Sequence, residues 1–167
     1  IERVLKNNPI LGDKKVMTIG RYVPVVDPKN PPRFLVFCDV FNGKVDAYRG
    51  LPVKSAAVVD YLKGAADLNP RDPARALQYF FGFLDHPEPE ISNDAFLEFA
   101  KAGDADVGQV ASKLSAAKLR SWMQDPKTPV NRLSLYAFLL GACGGKEDAA
   151  VLRDMIDRPN ERTLRHL

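Results

Sequence analysis

Apolar positions are arranged differently on the two sides of Gly50. Before it, β-branched and aromatic residues come singly or in short blocks (Val16, Thr18, Tyr22-Val23, Val25-Val26) among Gly, Pro and Asp punctuation, a pattern that predicts β structure. The clearest element there is a hairpin over residues 33–49. Arg33 to Phe41 is apolar at nearly every position except Asp39, as in a strand covered on both faces. Asn42-Gly43 supplies the two positive-φ residues of a type I′ turn, and Lys44 to Arg49 returns as the partner strand. The stretch Asp27 to Pro32 holds three prolines in six residues and reads as a connector, since proline cannot donate to a sheet ladder.

Beyond Gly50 the apolar spacing lengthens to that of a helix. Ser55 can cap a helix reaching Ala66, with Val58, Leu62 and Ala65 along one side, ended by Asn69-Pro70. Asp72-Pro73 reads as N-cap and first helical residue of a helix to Leu84. Its polar residues Arg75, Gln78 and Asp85 share one narrow stripe with Gly82, so the rest, Leu77 and Phe80 among them, is packed on more than one side. Glu90 to Ala102 forms a returning helix with Ile91, Ala95, Phe96 and Phe99 inward. A short helix over 107–114 follows, and Ser115 then caps another that carries Leu119, Trp122 and Met123 at i, i+3, i+4. Leu133 to Cys143 reads as a buried helix. Lys146 to Ile156 starts a further hairpin, Asp157-Arg158-Pro159 turns the chain, and Asn160 to Leu167 opens a second helix.

The helical part repeats itself. Asp85, Pro89 and the run from Ala95 to Ala102 superpose without a gap on Asp125, Pro129 and the run from Leu135 to Ala142, an offset of 40 residues. A period near forty, with two helices per unit, is the signature of HEAT or armadillo arrays. Asp125…Pro129-Val130-Asn131-Arg132…Ala137-Phe138-Leu139-Leu140-Gly141 resembles the intra-repeat turn and second helix of HEAT repeats, and Asp148 to Asp157 resembles the first helix of a following repeat. The resemblance covers residues 73–167. It implies an α-solenoid whose second helices offer a binding face to a protein partner. Ser92-Asn93-Asp94 departs from the pattern where arginine is usual, and the insert from Gly103 to Leu114 breaks the period. In the β segment, Val4-Leu5-Lys6 followed by Leu11 to Val16 resembles the opening strands of small secreted OB-like domains, which implies an extracytoplasmic protein. The chain as a whole resembles bacterial proteins that place a β segment before helical repeats. The expected organisation is therefore α+β: a β-rich segment over 1–50, part of a truncated OB-like barrel, and a HEAT-like helical region over 51–167.

Composition narrows the function classes. With 167 residues, 46% hydrophobic and 27% charged, the chain can bury a sizeable core, and no apolar run reaches the roughly eighteen residues of a membrane span. The net charge of +3 is unevenly shared. Residues 1–54 carry 10 Lys and Arg against 5 Asp and Glu, the remainder 14 against 16. Solvated strand edges account for this more readily than an anionic partner does. Lys14, Lys15, Arg21, Arg33, Lys44 and Arg49 interleave with Tyr22, Phe34 and Tyr48, but without a recognisable RNA-binding run, which disfavours nucleic acid. Cys38 and Cys143 stand in apolar contexts with no ligand neighbours and read as buried free thiols.

No nucleophile elbow, zinc-binding motif or phosphate loop occurs. His86 lies in a turn before Pro87 and His166 near the end of the chain, both read as surface residues. Asp104 and Asp106 read as an N-cap and a first-turn acid, Asp60 and Tyr61 as a structural seam, and Trp122 as core. The expectation is a protein-binding or structural scaffold that is not an enzyme and has no cofactor or metal. Polar positions on the second helices, Asn93, Glu98, Lys101, Asn131, Arg132 and Ser134, are the candidate partner contacts. Two alternatives stand beside it. One is an accessory or sensor domain of a larger exported protein, suggested by Ile1 opening inside a strand. The other is an anion- or nucleic-acid-binding module using the basic β segment.

Overall fold

Asn42 and Gly43 adopt φ of 49° and 70°, the left-handed pair that a type I′ turn demands, and the chain folds back there into an antiparallel hairpin. The structure is a computed structural model and describes residues 1–18 and 27–160. In it β1 (Phe34–Phe41) pairs with β2 (Lys44–Pro52) from Phe34 opposite Pro52 to Phe41 opposite Lys44. The register shifts between Phe37 and Cys38, which face Arg49 and Ala47, so Tyr48 is the extra residue of a bulge. These two strands form the one sheet among the described residues.

The hairpin is not covered on two faces as its apolar run suggests. No residue of β1 or β2 is buried: Leu35, Val36 and Phe37 are half-buried, and Phe41 is 69% exposed. A two-stranded ribbon has no second layer to bury both of its faces, so an unbroken apolar run here marks β propensity alone. Cys38 is exposed for the same reason, which corrects its reading as a buried thiol. The strands expected at Val4 to Lys6 and Leu11 to Val16 are also missing. That stretch holds a 3₁₀ turn at Pro9–Leu11, where the Asn8 side chain accepts from the Ile10 N–H and Gly12 turns out at φ 49°. Val16 is 79% exposed. The β-formers at 22–26 lie outside the described residues.

The chain divides into two compact units, Ile1–Asp67 and Leu68–Leu167, so the boundary falls after the first helix and not at Gly50, where the apolar period changes. That helix, α1 (Ala56–Ala66), starts where Ser55 Oγ accepts from the Ala57 N–H at 3.0 Å, and it buries Val58 and Tyr61.

The second unit contains α2 (Pro73–Phe81), α3 (Pro89–Lys101), α4 (Asp104–Val110), α5 (Ala116–Gln124), α6 (Leu133–Cys143) and α7 (Lys146–Asp157). With the hairpin this makes an α+β chain of seven α-helices among the described residues. Local chemistry sets several helix starts. Asp72 Oδ1 accepts from the Arg75 N–H ahead of Pro73, and Ser115 Oγ accepts from the Lys118 N–H. α2 stops at Phe81 and not at Leu84, because its bonds tighten to i→i+3 through Gly82 and Phe83. α4 begins at Asp104, three residues before the expected start, and runs into a 3₁₀ turn at Ala111–Lys113. The helix expected from Asn160 to Leu167 falls almost wholly outside the described residues.

α2 packs on α3 and α4, α5 packs on α6, and α6 also meets α4 and α7. Four of these helices contribute an apolar stripe to one interior. It is built from Leu77, Phe80 and Phe81 of α2, Ile91, Ala95 and Phe99 of α3, Leu119, Trp122 and Met123 of α5, and Tyr136, Leu139 and Leu140 of α6. No helix among the described residues is long and apolar enough to cross a membrane.

The interior makes a direct prediction. Phe80→Ala or Leu139→Ala should lower unfolding free energy by about 2–5 kcal/mol, as large-to-small core changes do. Lys101→Ala, on an exposed residue, should stay within about 0.5 kcal/mol. Urea denaturation of the three variants checks the ordering.

Candidate interaction surface

The residues most able to act on another molecule sort into a polar seam inside the helical unit and the outer sides of α3 and α6. The seam begins with Arg132, delivered by the 3₁₀ turn at Val130–Arg132 just before α6. Its side chain is turned inward and is 4% exposed. One guanidinium nitrogen donates to the Ser92 carbonyl at 2.9 Å, another donates to Asn93 Oδ1 at 2.6 Å, and the group lies 4.3 Å from the centre of the Phe96 ring. Burial pushes its pKa down from the usual arginine value. Ser92 stands 40 residues before Arg132, the same offset as the sequence repeat. The seam continues through aromatic rings. Phe81 of α2, Trp122 of α5 and Tyr136 of α6 follow one another at 5.3 and 5.1 Å between ring centres. Trp122 Nε1 donates to Asp85 Oδ2 at 3.0 Å, and the Tyr136 hydroxyl donates to the Leu84 carbonyl at 3.2 Å. Both polar tips of buried aromatics therefore reach acceptors in the turn after α2.

This seam changes the candidate contact set. Arg132 is not an exposed partner contact: a guanidinium held by a carbonyl, an amide oxygen and a ring face is a tie between helices. Asn93 is exposed, but its amide oxygen is engaged by Arg132. Glu98 and Lys101 pair with each other at 2.5 Å. Asn131 and Ser134 stand exposed around the start of α6.

The outer face includes two apolar residues that the choice of polar positions left out. Leu97 on α3 is 50% exposed and Phe138 on α6 is 47% exposed. Each lies two positions from two buried residues, Leu97 from Ala95 and Phe99, Phe138 from Tyr136 and Leu140. A two-residue step turns a side chain by about 200° on a helix, which sets both residues opposite the interior. For Leu97 this signal was readable from the spacing of Ile91, Ala95 and Phe99. α6 offered none, since it is apolar all round.

The sites of possible catalysis stay dispersed. His86 Nδ1 accepts from the Glu88 N–H at 3.1 Å, a turn contact before α3, and His166 lies outside the described residues. Asp104 and Asp106 both sit in the first turn of α4, whose N-cap is Gly103, so neither is the cap. Asp60 is exposed and Tyr61 buried on α1. Among the described residues no three His, Cys, Asp or Glu gather to hold a metal ion. Cys143 is a free, half-buried thiol whose pKa is raised, chiefly by burial. In the first unit a cleft of about 310 Å³ lies between the N-terminal turn and the hairpin. Its walls come from Ile10, Leu11, Met17 and Val45, with Lys14 and Lys44 also lining it, and among the described residues no histidine, cysteine or carboxylate does.

Two outcomes follow from the seam. Arg132→Met should cost about 1.5–3 kcal/mol, the scale of hydrogen bonds to a charged group, while Asn131→Ala stays near neutral; denaturant midpoints distinguish them. Burial pushes the Tyr136 phenol up to about 12, with Asp85 adding to the effect and Arg132 opposing it. The unfolded phenol ionises near 10, so below that pH both states keep the proton and the fold has its full stability. Between pH 10 and 12 only the unfolded chain releases it, and stability falls as pH rises. Denaturation measured across that window should show a shallower decline for Tyr136→Phe than for the wild type.

No protein-family model, no curated protein and no solved structure matches this chain.

Proposed function

We propose that the protein is a non-enzymatic interaction scaffold, in which a short HEAT-like stack of helical hairpins presents the outer face of its second helices, α3 and α6, to a protein partner. The observation that carries this reading is the pair Leu97 and Phe138, large apolar side chains about half exposed on the faces opposite the interior. Exposed Asn93, Asn131 and Ser134 lie on or beside the same two helices and would supply a polar surround.

Support for the stack comes from the ties that join one hairpin to the next. Phe81 and Trp122 link the two first helices, α2 and α5. Arg132 links the turn before α6 to α3, on the residue one repeat earlier. Ties from one hairpin to the next are what a repeat stack needs to share a continuous interior and leave one extended face for binding. Aromatic and aliphatic residues standing out of such a face are suited to act as anchors, because their burial by a partner removes apolar area from water at little cost in side-chain entropy.

Leu97→Glu combined with Phe138→Glu tests the assignment. The double variant should keep its helical circular dichroism and a stability within about 1 kcal/mol of the wild type, since neither side chain is buried. It should retain at most about a tenth of the protein that the wild type holds in affinity capture, as loss of anchor residues does. Capture at wild-type levels by the folded double variant would refute the assignment.

A further inference from the structure

α7 is held to the helical unit in a way the other helices are not. α2, α3, α5 and α6 each bury at least three apolar side chains, whereas the one buried residue of α7 is Asp148. Leu152 and Met155 are half-buried, Val151 is exposed, and Ile156 is 68% exposed. Apolar burial, the main force holding a helix in place, is therefore weakest here.

A charged clasp takes its place. Asp148 Oδ1 accepts from the Arg120 guanidinium of α5, and Asp148 Oδ2 accepts from the Gly145 N–H at 2.9 Å. One carboxylate thus caps its own helix and ties that helix to α5. The carboxyl is held below its usual range, first by Arg120 and then by the Gly145 N–H. The joint between α6 and α7 is built around this side chain. A Cβ placed on Gly144 would stand 2.5 Å from the Leu140 carbonyl oxygen and 2.6 Å from the Asp148 Cβ, so only glycine allows the approach. Beneath α7 lies α6, which carries no charged residue in its eleven positions. Leu152 Cδ1 comes within 3.8 Å of the Cβ position at Gly141.

We propose that α7 is a separately opening strap: it detaches from α5 and α6 as a unit while α2 to α6 stay folded, and the Arg120–Asp148 pair sets how often it does so. Opening separates the two charges, returns both to water and bares the uncharged flank of α6 around Gly141 and Cys143. Little apolar area is surrendered by α7 itself, which places it at the low end of local stability. The Gly144-Gly145 joint is the pivot. Asp148 keeps its bond to the Gly145 N–H in either position, so α7 remains a capped helix when detached.

Native-state hydrogen exchange on the full chain tests this. In the wild type the amides of Ala149 to Asp157 should exchange at least about tenfold faster than the interior amides of α5 and α6, and their exchange should be insensitive to low denaturant. Arg120→Met removes the tie while leaving the cap at Gly145 intact. It should lower protection in α7 by about a further tenfold or more and leave α2 to α4 and α6 unchanged. The proposal is overturned if α7 exchanges with the same rate and denaturant dependence as α6, if Arg120→Met leaves α7 protection as it was, or if the variant loses protection in every helix together.

Discussion

A buried guanidinium imposes the strictest condition on the helical unit. A charge taken out of water costs several kcal/mol unless its donors are met, so the Arg132 side chain admits few arrangements of what surrounds it. The Ser92 carbonyl, the Asn93 amide oxygen and the face of Phe96 all come from α3 and must lie where the turn before α6 puts the arginine. This ties the first turns of α3 to the turn before α6. Asp85 and the Leu84 carbonyl act in the same sense on α2, because Trp122 and Tyr136 each need an acceptor for a buried polar tip. Apolar burial supplies most of the stability, but it is non-directional and would allow the helices to slide. The polar seam selects one of those packings.

From that fixed packing the distribution of exposed groups follows. With the inner side of α3 set by Ile91, Ala95 and Phe99, and the inner side of α6 by Tyr136, Leu139 and Leu140, Leu97 and Phe138 have nowhere to go but outward. α7 lies beyond the reach of the seam. Among the described residues its hold on the unit is the Arg120–Asp148 pair, with Asp148 buried, together with the half-buried Leu152 and Met155. The outward set of Leu97 and Phe138 and the sparse apolar burial of α7 are thus two results of where these interactions stop.

The first unit is organised by a different rule. Its hairpin depends on the Asn42-Gly43 turn and on contacts across the strands such as that of the Phe37 ring with the ring of the bulge residue Tyr48, 6.4 Å apart, and not on a covered face. Large exposed residues, Val40, Phe41 and Tyr48, are the consequence.

Local chemistry was sufficient to read much of this chain from its sequence. Asn42-Gly43, Ser55, Asp72-Pro73 and Ser115 each act on backbone groups within a few residues, so the hairpin and the starts of three helices were legible, as was the α+β class that they compose. The inward stripes of α3 and α5 were legible for the same reason, their period being a property of the helix itself. What only the tertiary structure decided concerns groups far apart in the chain. Whether the apolar run of β1 is covered, whether Arg132 faces solvent or Ser92, and whether Phe138 lies inside or outside an all-apolar helix each depend on what packs alongside, which no local spacing encodes. Burial is a property of neighbours in space, and for a charged residue such as Arg132 the acceptors that permit it sit 39 and 40 residues away.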